Sequence, residues 1–312
     1  MKRRDFLRNS VLGTAGLTAL GSLATSATAA PAAKGLIKLT ILHTNDMHSR
    51  IEPFPADSPQ WAGLGGMARR AALIEQVRGQ EANVLLLDSG DVFQGTPYFN
   101  FFGGELEFKL MSQMRYDAST LGNHDFDNGL EGLLRQLPHA NFPFLVANYD
   151  FASTQLAGRF APYKVFEKQG VRIGVFGLGI ELAGLVADKN YGQTKYLDPV
   201  ATARTTAAQL RGPEHCDFVI CLSHLGYEYK NPKIDDRKLA AQVAGIDLIL
   251  GGHTHTFLPA PEPITSPDGH ATLINQVGWA GINLGRLDFE FSPQRRRAGL
   301  ALAKVLPVSQ LG

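Results

Sequence analysis

Strand-like and helix-like runs alternate along this chain and then give way to hairpins. That pattern predicts an α/β (α+β) fold, a two-layer β-sandwich of mixed sheets flanked by helices. Three observations carry the expectation. Short apolar runs alternate with segments of helical spacing from Leu36 to Ala147, and again from Pro199 to Leu250. Lys168-Gln169-Gly170 separates two further apolar runs in the manner of a hairpin turn, and the C-terminal part reads as antiparallel and β-rich. A hydrophobic content of 44% over 312 residues is enough for a substantial core. No shift in composition marks a boundary after residue 30, so residues 30–312 read as one domain.

The first strand is expected over Leu36–Leu42 (L-I-K-L-T-I-L). A helix follows over Gly65–Arg78, where Met67, Ala71, Leu73, Ile74 and Val77 recur at roughly helical spacing. Asn83–Leu87 is an apolar run of the buried-strand kind, and Glu105–Met114 is a second helix. Ala118–Leu121 reads as a strand, Leu130–Leu137 as a helix stopped by Pro138, and Phe144–Ala147 as another strand. Tyr163–Glu167 and Val171–Gly177 make the hairpin. Pro199–Leu210 reads as a helix, Phe218–Leu222 as a strand, Leu239–Val243 as a helix and Leu248–Leu250 as a strand. Ala271–Gln276 and Asn283–Phe291 supply the antiparallel part.

Residues 1–29 stand apart from this pattern. Lys2-Arg3-Arg4-Asp5-Phe6-Leu7 precedes an apolar region from Val11 to about Leu23, and Ala27-Thr28-Ala29 offers a small-residue cleavage site. The segment resembles a twin-arginine translocation signal, which predicts a periplasmic or otherwise exported protein. Gly13, Gly16 and Gly21 and the shortness of the apolar run argue against a span, so no stable membrane span is expected after cleavage. Without these residues, which hold Lys2, Arg3, Arg4, Arg8 and Asp5, the net charge moves from +1 to −2. No basic run is interleaved with aromatics, and Arg295-Arg296-Arg297 reads as a solvated turn, so a nucleic-acid polymer is not an expected partner. Cys216 and Cys221 are the only cysteines. Their odd spacing along one strand would point them to opposite faces, so stability is expected from the core without a disulfide.

The polar residues that could do chemistry fall after strands, where open α/β sheets build their sites. Asp46 and His48 offer an oxygen and a nitrogen ligand two residues apart on one side of an extended segment. Asp91, in D-S-G-D-V-F-Q-G, sits where glycine lets the backbone approach a ligand, and its two oxygens suit it to bridging two cations. Asp88, the competing carboxylate, reads as a turn residue. Asn123 can give an amide oxygen to a metal, and its neighbour His124 must then point elsewhere. Asp127 is placed to hold the His124 imidazole, though it also precedes the helix near Leu130 and could cap it. Asp125 reads as support behind the ligands. His224, His253 and His255 complete the set. Five of nine histidines thus lie at strand exits, which single structural accidents explain poorly, whereas His43, His139, His215 and His270 read as ordinary residues. An oxygen and nitrogen set without thiolate suits two divalent ions such as Mn, Zn, Fe or Co and does not choose among them. The pattern argues for a two-metal hydrolase whose centre keeps a net positive charge to receive an anion such as a phosphate ester.

The blocks D-x-H, G-D, G-N-H-D, H and G-H-x-H, in this order, resemble the calcineurin-like metallophosphoesterase superfamily. The longer wording L-H-T-N-D-M-H, D-S-G-D-V-F-Q-G-T-P and L-G-N-H-D-F-D-N-G is similar to the catalytic domain of the 5′-nucleotidase family, over roughly Leu39 to Phe291. The resemblance implies that Asp46, His48, Asp91 and His255 hold one metal and that Asp91, Asn123, His224 and His253 hold the other. It implies His124 and Asp127 as a catalytic dyad and metal-activated water attack on phosphorus. The substrate class so implied is a small phosphate ester, most simply a nucleotide. Cyclic-nucleotide phosphodiester, nucleotide-sugar pyrophosphate or thiosulfonate hydrolysis on the same metals is the alternative, and a non-catalytic metal or phosphate-binding subunit is the reading outside catalysis. Two departures stand out. The family often has glutamine where His255 stands, and its members carry a second, C-terminal domain for the nucleotide. A separate chain bearing that domain is therefore a possible partner, and the run Phe93, Tyr98, Phe99, Phe101 and Phe102 is either its docking surface or a helix start buried in the core.

Overall fold

The computed structural model describes residues 35–292 and 297–309, so the expected signal over 1–29 and two of the three consecutive arginines, Arg295 and Arg296, lie outside the described residues. In chain order, β1 (Ile37–Thr44) leads through α1 (Met67–Gln80) to β2 (Val84–Asp88), which lies parallel to it. Met67, Ile74 and Val77 form the buried stripe of α1, at the spacing that places them on one helix face. α2 (Pro97–Phe102) and α3 (Glu105–Gln113) lead to the two-residue β3 (Ala118–Ser119), parallel to β2. α4 (Gly129–Gln136) and β4 (Tyr149–Asp150) follow.

β5 (Tyr163–Lys168) and β6 (Val171–Leu178) form the hairpin. Gln169 and Gly170 at its tip both have positive φ, 49° and 83°, the combination a two-residue primed turn requires. α5 (Asp188–Tyr191) and β7 (Lys195–Tyr196) precede α6 (Pro199–Arg211), whose Asp198 cap accepts the Ala201 amide at 2.7 Å ahead of Pro199. β8 (Phe218–Ser223), α7 (Asp236–Gln242) and β9 (Leu248–Leu250) come next, and β10 (Glu262–Thr265), β11 (Ala271–Asn275), β12 (Asn283–Phe291) and β13 (Arg297–Pro307) end the described chain.

Two mixed sheets result, with strand orders β13-β12-β1-β2-β3 and β10-β11-β9-β8-β6-β5, and β4 pairs with β7 in a small third sheet. Alternation along each strand divides the side chains between layers. Leu39, Ile41, Leu85, Leu87, Leu287 and Phe289 of the first sheet face Ile173, Val175, Phe218, Ile220, Leu222, Leu248 and Leu250 of the second, forming a core between the sheets. The outer face of the first sheet packs Leu42, Val84 and Leu86 against α1, α3 and α4. The outer face of the second packs Phe176, Val219, Cys221 and Ile249 against α6 and α7. The architecture is helix, sheet, sheet, helix, as the alternation predicts. No helix among the described residues is long and apolar enough to cross a membrane.

Several expectations are corrected. Phe144–Ala147 forms no ladder: Leu145 N donates to Ser119 O of the first sheet, and Ala147 N donates to Gly177 O of the second, so the segment crosses between sheets and touches each briefly. Ala271–Asn275 is antiparallel to β10 but parallel to β9, and it shares no sheet with β12. Arg297 opens β13 and is not part of a turn. Cys216 lies before β8, so strand alternation does not separate it from Cys221. Both cysteines join the same helix-side cluster and both are free.

Candidate metal centre

Parallel strands place their C-terminal ends on one edge of a sheet, and here the two sheets present those edges to each other. β1, β2 and β3 deliver Asp46 to Ser49, Ser89 to Val92 and Leu121 to Asp127, while β8 and β9 deliver His224 and Gly251 to His255. The five loops meet at one place. Asp46, His48 and His255 form one group and Asp91, His224 and His253 another, with one ligand atom from each residue within 4.8 Å of the others in its group.

Asp91 stands between the groups. Its Oδ2 lies 3.9 Å from His48 Nε2 and 3.1 Å from His224 Nε2, while its Oδ1 accepts the His124 amide at 2.8 Å. The expectation that both oxygens turn to cations therefore changes, since one carboxylate oxygen faces both groups and the other holds the chain. Asp46 Oδ1 lies 3.4 Å from His255 Nε2 and 3.9 Å from His224 Nε2. Asn123 Oδ1 lies 2.8 Å from His253 Nδ1, so the seven residues singled out in the sequence converge.

The donor set fits cations on the geometry of this chain. His48 Nδ1 is 3.3 Å from the Phe93 carbonyl and His224 Nδ1 is 2.6 Å from the Ser89 carbonyl, which commits both Nδ1 atoms as donors and turns both Nε2 atoms to the cluster, where each can take a cation on giving up any proton it holds. The two imidazoles His48 and His255 bring their Nε2 atoms to 2.9 Å of each other, and the fully buried His224 Nε2 faces Asp91 Oδ2. Nitrogens and carboxylate oxygens converging in this way, without thiolate, are what a borderline divalent ion takes.

Backbone conformation is spent to achieve this. Asp46, His48, Asp91, His253 and His255 all have φ between 47° and 70°, in the left-handed region that costs a non-glycine residue roughly 1–3 kcal/mol. Five such residues in one cluster are held there by surrounding bonds: Asp46 N donates to Gly90 O, His48 N to Asp91 O, and His253 N to both oxygens of Asp46. Asp125, fully behind the loop, accepts the amides of Gly122, Asp91, Val92 and Phe93 at 2.8–3.2 Å. Asp88 accepts Thr44 Oγ1 at 2.6 Å, Gly90 N at 2.9 Å and Ser119 Oγ at 3.0 Å, the turn-holding position expected of it.

Charge follows burial and proximity. Burial opposes ionisation of Asp91, but the imidazoles of His224, His48 and His124 outweigh it and hold the carboxyl well below the usual range. Burial likewise opposes a charged His224, yet the Asp91 and Asp46 carboxylates push it up to about 10. His253 is pulled down to about 4 by burial and by the charge on His224.

His124 points away from Asn123. Its Nδ1 meets Asp127 Oδ2 at 2.8 Å, and its ring stands edge-on to His48 with centroids 5.3 Å apart. Asp127 is not the N-terminal cap of α4, because Asn128 occupies that position without a side-chain cap bond. The aromatic run divides. Phe93 and Phe99 are in the core and Tyr98 is partly covered, whereas Phe101 is 81% and Phe102 47% exposed.

Two residues escape the sequence reading. Asn45 donates to Asp46 Oδ2 at 2.6 Å and to the Gly278 carbonyl at 2.5 Å, and accepts the Val277 amide at 3.1 Å, joining the first ligand loop to the loop after β11. Its place beside Asp46 was the available signal. Trp279 stacks on His255, and nothing in its local sequence announces it.

A model of the calcineurin-like phosphoesterase family matches residues 39–257. A snake venom 5′-nucleotidase of Crotalus adamanteus is 37% identical over 83% of this chain and 46% of its own length. A 5′-nucleotidase of Vibrio cholerae is also 37% identical, over 93% of this chain and 55% of its own. The crystal structure of a 5′-nucleotidase precursor from Thermus thermophilus superposes with a TM-score of 0.79 at 34% identity, covering 87% of this chain and 54% of that one. The chain thus spans about half the length of these relatives. Fold, ligand blocks and relatives agree that it belongs to the calcineurin-like phosphoesterase family, with 5′-nucleotidases among its kin.

Proposed function

We propose that the protein is a metal-dependent phosphatase acting on phosphate monoesters, most simply nucleotides. In this reading Asp46, His48, Asp91 and His255 hold one divalent ion, and Asp91, Asn123, His224 and His253 hold the second. When bound, such ions supply Lewis acidity to phosphoryl oxygens and lower the pKa of water. The observation that carries the reading is the His124–Asp127 pair beside the ligand cluster, since binding metal or phosphate alone gives neither residue a task. With Nδ1 committed to Asp127, the imidazole has Nε2 left to meet a phosphoryl or leaving-group oxygen and to hand it a proton. The hydrogen bond that His124 donates to Asp127 raises the His124 pKa above its ordinary value, which favours the protonated ring needed for that role.

The export signal over residues 1–29, a single catalytic domain over 30–312 and loading with Mn, Zn, Fe or Co complete the proposal. A separate chain bearing a 5′-nucleotidase C-terminal domain is the proposed partner, with Phe101 and Phe102 as exposed apolar surface for it. Phosphate release by the metal-reconstituted chain from AMP, a cyclic nucleotide, a nucleotide sugar and a generic phosphate ester tests the substrate class. Activity confined to the cyclic nucleotide or the nucleotide sugar would replace the monoester reading. A monodisperse monomer with full nucleotidase activity would remove the need for a second chain.

A further inference from the structure

We propose that Trp279 is the positioning residue for His255: its indole sets the plane of the imidazole, and thereby the cation affinity of that half of the centre. The inference rests on the two-cation reading above. Histidine ligands are usually oriented by a hydrogen bond from the ring nitrogen that does not face the metal. His48 and His224 follow that rule through the carbonyls of Phe93 and Ser89. His255 does not: among the described residues no hydrogen bond holds its Nδ1, and its side chain is 38% exposed. Its backbone is left-handed, φ 52°.

What meets the ring instead is the indole of Trp279, stacked at 5.5 Å between centroids and 4° between planes. Offset stacking at such a distance is the favourable arrangement of two π systems, and an imidazole made electron-poor by a bound cation gains from an electron-rich indole. The indole is itself fixed. Phe54 meets it edge-on at 5.9 Å, and Arg50 covers the Phe54 ring at 4.1 Å. Its backbone is tied to the facing ligand loop, because Ala280 N donates to Asp46 O at 2.7 Å and Asn45 Nδ2 donates to Gly278 O at 2.5 Å. The indole therefore shares a frame with Asp46, and His255 Nε2 is aimed at Asp46 Oδ1 by stacking on it.

The test is titration of the chelator-stripped full chain with Co²⁺, followed by calorimetry and visible absorption, for wild type, Trp279→Leu and Trp279→Phe, each also in a His255→Gln background. Leucine keeps apolar bulk without a ring, and phenylalanine keeps the ring. Two sites are expected in wild type. Trp279→Leu should weaken one of them by about tenfold, the scale on which partners that orient metal ligands act, and leave the other unchanged. Trp279→Phe should recover most of the loss, and in the His255→Gln background Trp279→Leu should cost nothing more. The inference is overturned if Trp279→Leu leaves both affinities alone, weakens both alike, or costs as much without His255 as with it. Phenylalanine binding no better than leucine would also overturn it. A wild-type chain taking fewer than two ions would instead remove the two-cation reading on which the inference stands.

Discussion

His124 and Asp127 form a pair that neither the metal groups nor the helix ends require: Nδ1 to Oδ2 is 2.8 Å, one 3₁₀ turn apart in the chain. His124→Ala should keep the cations and lose turnover by about 10²- to 10⁴-fold, the range for losing a general acid. Metal content and kcat measured on the same preparation check this. Unchanged turnover with confirmed metal would remove the pair from the chemistry.

The same pair sets a pH dependence. The Asp127 hydrogen bond raises the His124 pKa, so the protonated ring persists to higher pH and activity is lost only as pH rises through the raised value. Asp127→Asn should move the basic limb of the kcat profile to lower pH. A limb that stays in place would mean that another group titrates there.

Asp91 and Asp88 are three residues apart and should behave oppositely. Asp91→Ala removes a carboxylate oxygen that faces both histidine groups, and elemental analysis should find both ions lost. Asp88→Asn disturbs the hydrogen bonds to Thr44, Gly90 and Ser119 but touches neither group. It should retain both ions and cost about 1–3 kcal/mol in a thermal or urea melt.

Gly122 reaches the same carboxylate by sterics. A Cβ there would fall inside contact distance of Asp91 Oδ1 and of the Asp91 amide. Gly122→Ala should therefore push the Asp91 side chain from its position and weaken binding of both ions, with far-ultraviolet circular dichroism unchanged. Wild-type affinity in this variant would show that the carboxylate has room to move.

His43 lies between the sheets, where Asn275 Nδ2 donates to its Nε2 at 3.0 Å, and burial pulls it down to about 3. A histidine neutral in the fold and protonated when unfolded gives stability that is whole above the ordinary value near 6.5 and is lost as pH falls from there toward 3. At pH 5 the loss amounts to about 2 kcal/mol for this one group. In chelator-stripped protein, His43→Gln should flatten the fall in stability between pH 7 and 5 by that amount, whatever its effect at pH 7. An identical pH dependence would contradict the buried neutral ring.

Strands buried on both faces are the elements that sequence displays best. L-I-K-L-T-I-L and N-V-L-L-L announce β1 and β2 because a second sheet covers one face and helices most of the other, so that Lys38 and Thr40 are the only polar breaks in the first run and Val84–Leu87 has none. β13 is alanine-rich and half-buried, and β10 carries Pro263 at a sheet edge, so neither has a run that stands out. The apolar run Leu239–Val243 marks only the end of α7, whose start lies at Asp236, where Asp235 accepts the Lys238 amide at 2.8 Å as its cap. The candidate ligands were legible because each stands within a few residues of a strand end. Trp279 was not, since its partnership with His255 is tertiary and joins two loops of different origin.

Phosphate released from AMP by the chelator-stripped chain, measured as Mn²⁺ is added back, tests the account most directly. The two convergent ligand groups predict no release without metal, and release that rises to a plateau at two equivalents per chain. Release that saturates at one equivalent, or none at any level of Mn²⁺, would contradict a two-cation phosphatase.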